Sequence, residues 1–120
     1  MFDINIWPLL DTFTGDSLSF QFEGEVPSDT FPDIQILGVL RFTLTLIATD
    51  TGIEAILRGF EGKALYEGKE EKFSMGQIER TFNRVYDPLA PDDIGTIDMK
   101  NATIDLGKVI REEIIMDLAF

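Results

Sequence analysis

The chain has 120 residues, 44% of them apolar, and carries no cysteine, no histidine and a net charge of −12. That length and composition suit one domain, residues 1–120, with a core that stands without disulfide or metal staples. The absent residue types exclude disulfides, thiolate chemistry, zinc sites built on Cys or His, and nucleophilic triads that need a His base.

Phe2, Ile4 and Ile6 alternate with Asp3 and Asn5, which predicts a short strand that Pro8 ends or bends. This opening has neither the basic region nor the long apolar core of a signal or transit peptide. Trp7 is expected in the core or at its rim. Leu18, Phe20 and Phe22 alternate with Ser19, Gln21 and Glu23, a half-buried strand with one wet face. Gly24 to Asp33 holds Pro27, Asp29 and Pro32 and reads as a loop. Ile34, Ile36, Leu40, Phe42, Leu44, Leu46 and Ala48 share one parity, with Gln35, Arg41, Thr43 and Thr45 on the other. One straight strand of that length would reach about 50 Å, so Gly38 is expected to bend or bulge it. Asp50-Thr51-Gly52 is a tight turn with Gly52 suited to a positive φ, and Ile53 to Tyr66 returns as the partner strand, softened by Gly59 and Gly62.

Lys69 to Tyr86 fits two patterns. Met75, Ile78, Phe82 and Val85 have helical spacing, and Ser74 to Gln77 resembles a capping box. Ile78, Phe82 and Tyr86 also fit one face of a strand, and Thr81, Phe82, Val85, Tyr86 and Gly76 favour that alternative. Asp87 to Met99, with Pro88, Pro91, Asp92, Asp93 and Gly95, reads as an acidic loop. Asp105 then caps a final helix whose Leu106, Val109, Ile110, Ile114 and Leu118 share a face. The expected fold is α+β and mainly β: an antiparallel sheet or partly closed barrel covered by the C-terminal helix.

No spacing singles out catalytic residues, a cofactor or a metal. Ser74 beside Lys72 is the one formal Ser–Lys combination, and adjacency alone carries little. Asp87, Asp92, Asp93 and Asp98 offer the oxygens calcium takes but lack the loop of about twelve residues that arranges them. Hence no catalytic site, cofactor or metal is expected, and the function is expected to be binding, not catalysis. The competing classes are a ligand-binding or enzymatic β-barrel and an adaptor in an unrelated complex.

Charge is uneven along the chain. Residues 1–57 sum to −8 and residues 85–120 to −5, while residues 58–84 sum to +1. Within that middle stretch Arg58, Lys63, Lys69, Lys72, Arg80 and Arg84 interleave with Phe60, Tyr66, Phe73, Phe82 and Tyr86, a combination found on RNA-binding sheets. Aromatics on alternating strands are more often the buried set, and the six bases are kept as a candidate RNA or partner contact. The overall field repels phosphate, so neither DNA nor non-specific nucleic-acid binding is expected. No run is long enough to span a membrane, and a cysteine-free chain of this kind is expected in the cytoplasm.

The closing stretch "IDLGKVIREEIIMDLAF" resembles the end of the YceD family, the large ribosomal RNA subunit accumulation proteins, with Asp105, Leu106, Arg111 and Glu112 on the matching positions. "DINIWPLL", "LSFQFEGEV", "GVLRFTLTLIATDTGIEAILRGFEGKAL" and "FSMGQIERTF" are similar to that family's successive strands, so the resemblance covers nearly the whole chain. Where many members carry Cys-x-x-Cys, Tyr66 and Lys69 stand here. The resemblance implies a non-enzymatic factor supporting accumulation of large-subunit ribosomal RNA, with a ribosomal protein or the ribosomal RNA precursor as partner. The acidic charge favours the basic protein.

The helix is the candidate contact surface, through Asp105, Lys108, Arg111, Glu112, Ile115 and Phe120. Projection at about 100° per residue puts Asp117, and less centrally Glu113, inside the apolar arc and Ile115 on the polar side. A dry, unpaired carboxylate costs several kcal/mol, so a base, Arg111 or another, must reach these acids or the last turn must lift away. The first two turns are expected to cover the core, and Ile115 to Phe120 to face a partner.

Overall fold

The computed structural model describes residues 2–119. β1 (Asp3–Asn5) leads into a one-turn helix, α1 (Trp7–Leu10), where Pro8 sits in the first turn and needs no N–H partner. β2 (Ser17–Glu25), β3 (Ile34–Ala48), β4 (Gly52–Tyr66) and β5 (Lys69–Asn83) follow as antiparallel neighbours. β6 (Ile94–Thr96) then runs parallel to β5, giving the order β2-β3-β4-β5-β6. β7 (Thr103–Asp105) pairs antiparallel with β1 as a separate ribbon and runs straight into α2 (Leu106–Ala119). The fold is therefore mainly β with a C-terminal helix, and the sheet does not close into a barrel: β2 and β6 are its two edges.

The two-sidedness of the long strands is settled by parity. On β3, Ile34, Ile36, Leu40, Phe42, Leu44, Leu46 and Ala48 are all buried, as their alternation requires. The register against β4 slips between Leu37 and Arg41, where β3 takes four steps to β4's two, and Gly38 stands there at φ +68°. On β4 the apolar pattern breaks parity. Ile53, Ala55 and Leu57 are buried, and so are Phe60 and Ala64, although Leu57 and Phe60 are three residues apart. A bulge resolves the conflict: β4 takes an extra step between Arg58 and Glu61, with Gly59 at φ +62°. β5 follows in register, with Gly76 opposite Gly59.

The bulge turns Phe60 inward, where it completes a row of rings across the sheet. Phe22, Phe42, Phe60 and Phe73, one from each of β2 to β5, have successive centroid separations of 5.2, 5.8 and 5.3 Å. Phe2 continues the row, 5.4 Å from Phe22, and Phe31 lies 6.2 Å beyond it. Gly62 makes room for this row, since a Cβ there would sit 2.8 Å from the Phe73 ring. α2 covers the same face with Leu106, Ile110 and Ile114, all fully buried.

Several expectations need correction. Trp7 lies outside the core, 64% exposed, because α1 turns Leu9 and Leu10 inward instead. β2 continues through Glu25, and the loop beyond buries Val26 and Phe31. Gly52 does not take a positive φ. It is glycine because a Cβ would stand 1.9 Å from the Phe82 carbonyl oxygen of β5. Lys69–Asn83 is a strand, as β-branched and aromatic content suggested, and the acidic loop contains β6. Replacing Gly52 with Ala should lower stability by about 1–3 kcal/mol through forced strand separation. Gly76→Ala, which meets open space, should stay within about 0.5 kcal/mol; urea midpoints of the two variants check the contrast.

Candidate docking surface

Asp105 caps α2 as its residue type suggests, its Oδ1 accepting from the Lys108 N–H at 3.3 Å. The buried stripe then drifts around the helix, from Leu106, Val109 and Ile110 to Ile114, with Ile115 and Leu118 packed partly buried at the end. A straight helix over a twisted sheet meets it with a changing face, and this reverses the expectation for the last turns. Ile115 is half-buried against the core, and Asp117 is exposed. Phe120 lies outside the described residues.

Glu113 finds its base in Arg80 on β5, not in Arg111. The Arg80 guanidinium donates to Glu113 Oε1 beneath the helix, and its Nη1 donates to the Glu79 carbonyl oxygen at 3.3 Å. Arg80 Nε is buried there without a partner, so Glu113 offsets only part of the desolvation of the guanidinium. Arg111 instead reaches Asp33 before β3 in a two-pronged pair, Nε to Oδ1 at 2.8 Å, with Nη2 on Oδ2. The hydrogen bonds from Arg111, and secondarily its charge, hold the Asp33 carboxyl below its ordinary 3.8, and Asp33 in turn raises Arg111. Lys108 and Glu112 form a longer surface pair at 3.9 Å. Of the helical residues expected to face a partner, Asp105 and Arg111 thus hold the helix itself in place.

The six bases between Arg58 and Arg84 do not share one face. Arg58 donates to Gln77 on the sheet face away from α2. Lys63 and Lys72 stand opposite one another past the bulge, with Glu70 3.1 Å from Lys63. Lys69 lies in a cleft with Tyr66, Glu67, Glu71 and Leu118, and Arg80 is under the helix. Arg84 donates from Nη2 to the Leu10 carbonyl oxygen at 2.7 Å, fastening the end of α1 to the end of β5. Of the interleaved aromatics, Phe60, Phe73 and Phe82 are core and Tyr66 is half-buried, while Tyr86 is open. Asp98 turns its carboxylate onto Asn101 and the Lys100 N–H, hydrogen bonds that hold its carboxyl below the ordinary range. Ser74 and Lys72 border a surface cleft with Arg41 and Lys63 and share no hydrogen bond.

Comparison with protein-family models, with curated proteins and with solved structures finds no match. No described helix is long and apolar enough to cross a membrane, and among the described residues no three acidic side chains gather as metal ligands would.

A second surface emerges where the β3–β4 turn meets the loop after β5. Asp50, Thr51 and Asn83 to Asp87 line an open groove of about 560 Å³ whose surface is largely apolar, with Val85 and Tyr86 among its walls. Thr14 donates to Asp50 Oδ1 at 2.8 Å, which brings the α1–β2 loop, and Phe13, to its side. Val85, Tyr86 and Phe13 are 78%, 71% and 84% exposed. The available signal was an isolated apolar residue inside a turn-forming run, as in Asp11-Thr12-Phe13-Thr14-Gly15-Asp16.

Two outcomes test the helix anchors. Glu113→Leu alone should cost on the order of 3 kcal/mol, because it strands the Arg80 guanidinium, and adding Arg80→Met should recover most of the loss in a double-mutant cycle. Asp33 has a lowered folded pKa, so its stabilisation is complete above 3.8 and fades as pH falls through the lowered value. The urea-midpoint difference between the native chain and Asp33→Asn, at most about 1 kcal/mol for a pair this exposed, should therefore shrink as pH falls below 3.8 and vanish once the carboxyl is protonated.

Proposed function

We propose that this chain is a non-enzymatic assembly factor that binds a basic protein of the large ribosomal subunit and so supports accumulation of that subunit's RNA. The ribosomal half of the reading comes from the YceD-like order of strands and closing helix. The preference for a protein over naked RNA comes from the charge left free on the surface.

Half of the ten bases, Arg41, Lys63, Arg80, Lys108 and Arg111, are taken up by ion pairs within the chain. Those pairs engage only six acids, so among the described residues sixteen acids remain against five bases. Pairing leaves the net charge at −12 and raises the ratio of unpaired acids to unpaired bases from 22:10 to 16:5. This single observation supports the reading: a surface so depleted of free cations repels phosphate and attracts the Lys- and Arg-rich proteins that themselves sit on RNA.

Sedimentation of cell extract carrying tagged protein tests the proposal. The tag should travel with precursors of the large subunit and, in pulldown, retain a basic large-subunit protein that leaves as salt rises. Absence from those fractions, together with unchanged large-subunit RNA after gene deletion, would refute it.

A further inference from the structure

The geometry points to one place on this acidic surface where the basic partner is read: the groove between the β3–β4 turn and the loop after β5, with a Lys/Arg-rich segment bearing an apolar side chain as occupant. The inference rests on the preceding reading and adds a site to it.

Three observations converge there. The first is apolar exposure concentrated in one region. Val85 and Tyr86 line the groove, Phe13 is on the loop that Thr14 ties to Asp50, and Leu89, 91% exposed, follows Asp87. Elsewhere the large exposed apolar residues, such as Phe20, Val39 and Met116, belong to separate elements, as on any protein surface. The second is the sign of the rim. Asp50 and Asp87 stand in the groove's lining, Asp11 and Asp16 lie on the α1–β2 loop that Thr14 fastens to Asp50, and none of these four is in an ion pair among the described residues. Arg84 also lines the groove; its guanidinium is held toward the neutral Leu10 carbonyl and keeps its charge, so the two carboxylates of the lining outnumber it by one. Lys108 borders the far side of the β5–β6 loop, outside the groove. A largely apolar lining with carboxylates in excess, on a chain of net charge −12, complements a cationic segment with an apolar side chain and repels phosphate.

The third observation is order in the loops. Asp16 accepts from the Phe13 N–H through Oδ2 at 3.3 Å while its own N–H donates to the Phe13 carbonyl at 3.0 Å, closing a turn around the phenyl ring. Asp87 accepts from the Leu89 N–H at 2.9 Å. The Arg84 N–H donates to the Thr51 carbonyl at 2.9 Å and so ties the groove's two walls together. Apolar side chains on turns already fastened lose less freedom on binding, as a docking site requires.

The test uses a synthetic peptide alternating Lys or Arg with Leu, titrated calorimetrically against the full chain. Three double variants are compared with it: Val85→Ser with Tyr86→Ser, Asp50→Asn with Asp87→Asn, and Glu25→Gln with Asp29→Asn. The last removes the same charge at the far end of β2. All six positions are exposed, and thermal unfolding confirms that each variant remains folded. Both groove variants should weaken the peptide about tenfold or more and the control less than about twofold. Equal weakening by both charge variants, no effect of the serine pair, or equally tight binding of a single-stranded RNA oligonucleotide overturns the site. The same variants in the extract pulldown separate the two proposals. Retention of a large-subunit protein that ignores the groove variants removes the site and leaves the function standing; peptide binding in the groove with no large-subunit protein retained does the reverse.

Discussion

A strand can send only every second residue to its core face, and β4 asks for more than that. Leu57 and Phe60 must both be buried although three positions separate them, and the extra step at Gly59 is what permits it. The surrounding arrangement adjusts to that step. Gly76 lies opposite on β5, Gly38 loosens β3 at its own register slip, and Gly62 leaves space for Phe73. The result is an unbroken row of rings from Phe31 to Phe73 on the buried face of the sheet, which α2 then covers. The covered face is occupied by the protein's own side chains, and what remains available to partners is the exterior.

That exterior is shaped by how the cations are distributed. The bases crowded between Arg58 and Arg84 suggest a patch when the chain is written as a line. Successive strands send them to opposite faces and opposite ends, and two of the six act internally: Arg80 anchors the helix and Arg84 fastens α1. Arg111 does similar work from the helix side through Asp33. Positive charge is thus used largely to hold elements together, which leaves carboxylates as the dominant outward-facing charge.

The long elements were legible because their signals are periodic and repeated. The parity of Ile34 to Ala48, the tight turn after it and the cap at Asp105 follow from local chemistry alone. β6 and β7 were not legible: three residues hold no period, and each exists only because a distant strand, β5 or β1, offers it hydrogen bonds. Projection at a fixed angle per residue misplaces Ile115 and Asp117 because the buried face drifts around α2 from Leu106 to Ile115 and Leu118. The partner of Glu113 lay beyond local reasoning as well, since Arg80 is on another element. The groove depends on three loops meeting, and a lone Phe13 or Tyr86 in the sequence does not announce that its neighbours will also stay exposed.

The ribbon of β1 and β7 joins the two extremes of the chain, Asp3 to Asp105 and Asn5 to Thr103. A nascent polypeptide emerging from the ribosome therefore makes β1 long before β7 and must leave it unmatched while the central strands are synthesised. The hairpins β2 to β5 can form during that wait, each from neighbours in sequence, whereas closure of the ribbon and seating of α2 wait until residues 103–119 have emerged. The cover over the phenyl row is thereby the last thing to close, and truncation before Thr103 would leave a fully paired central sheet with its oily side unprotected.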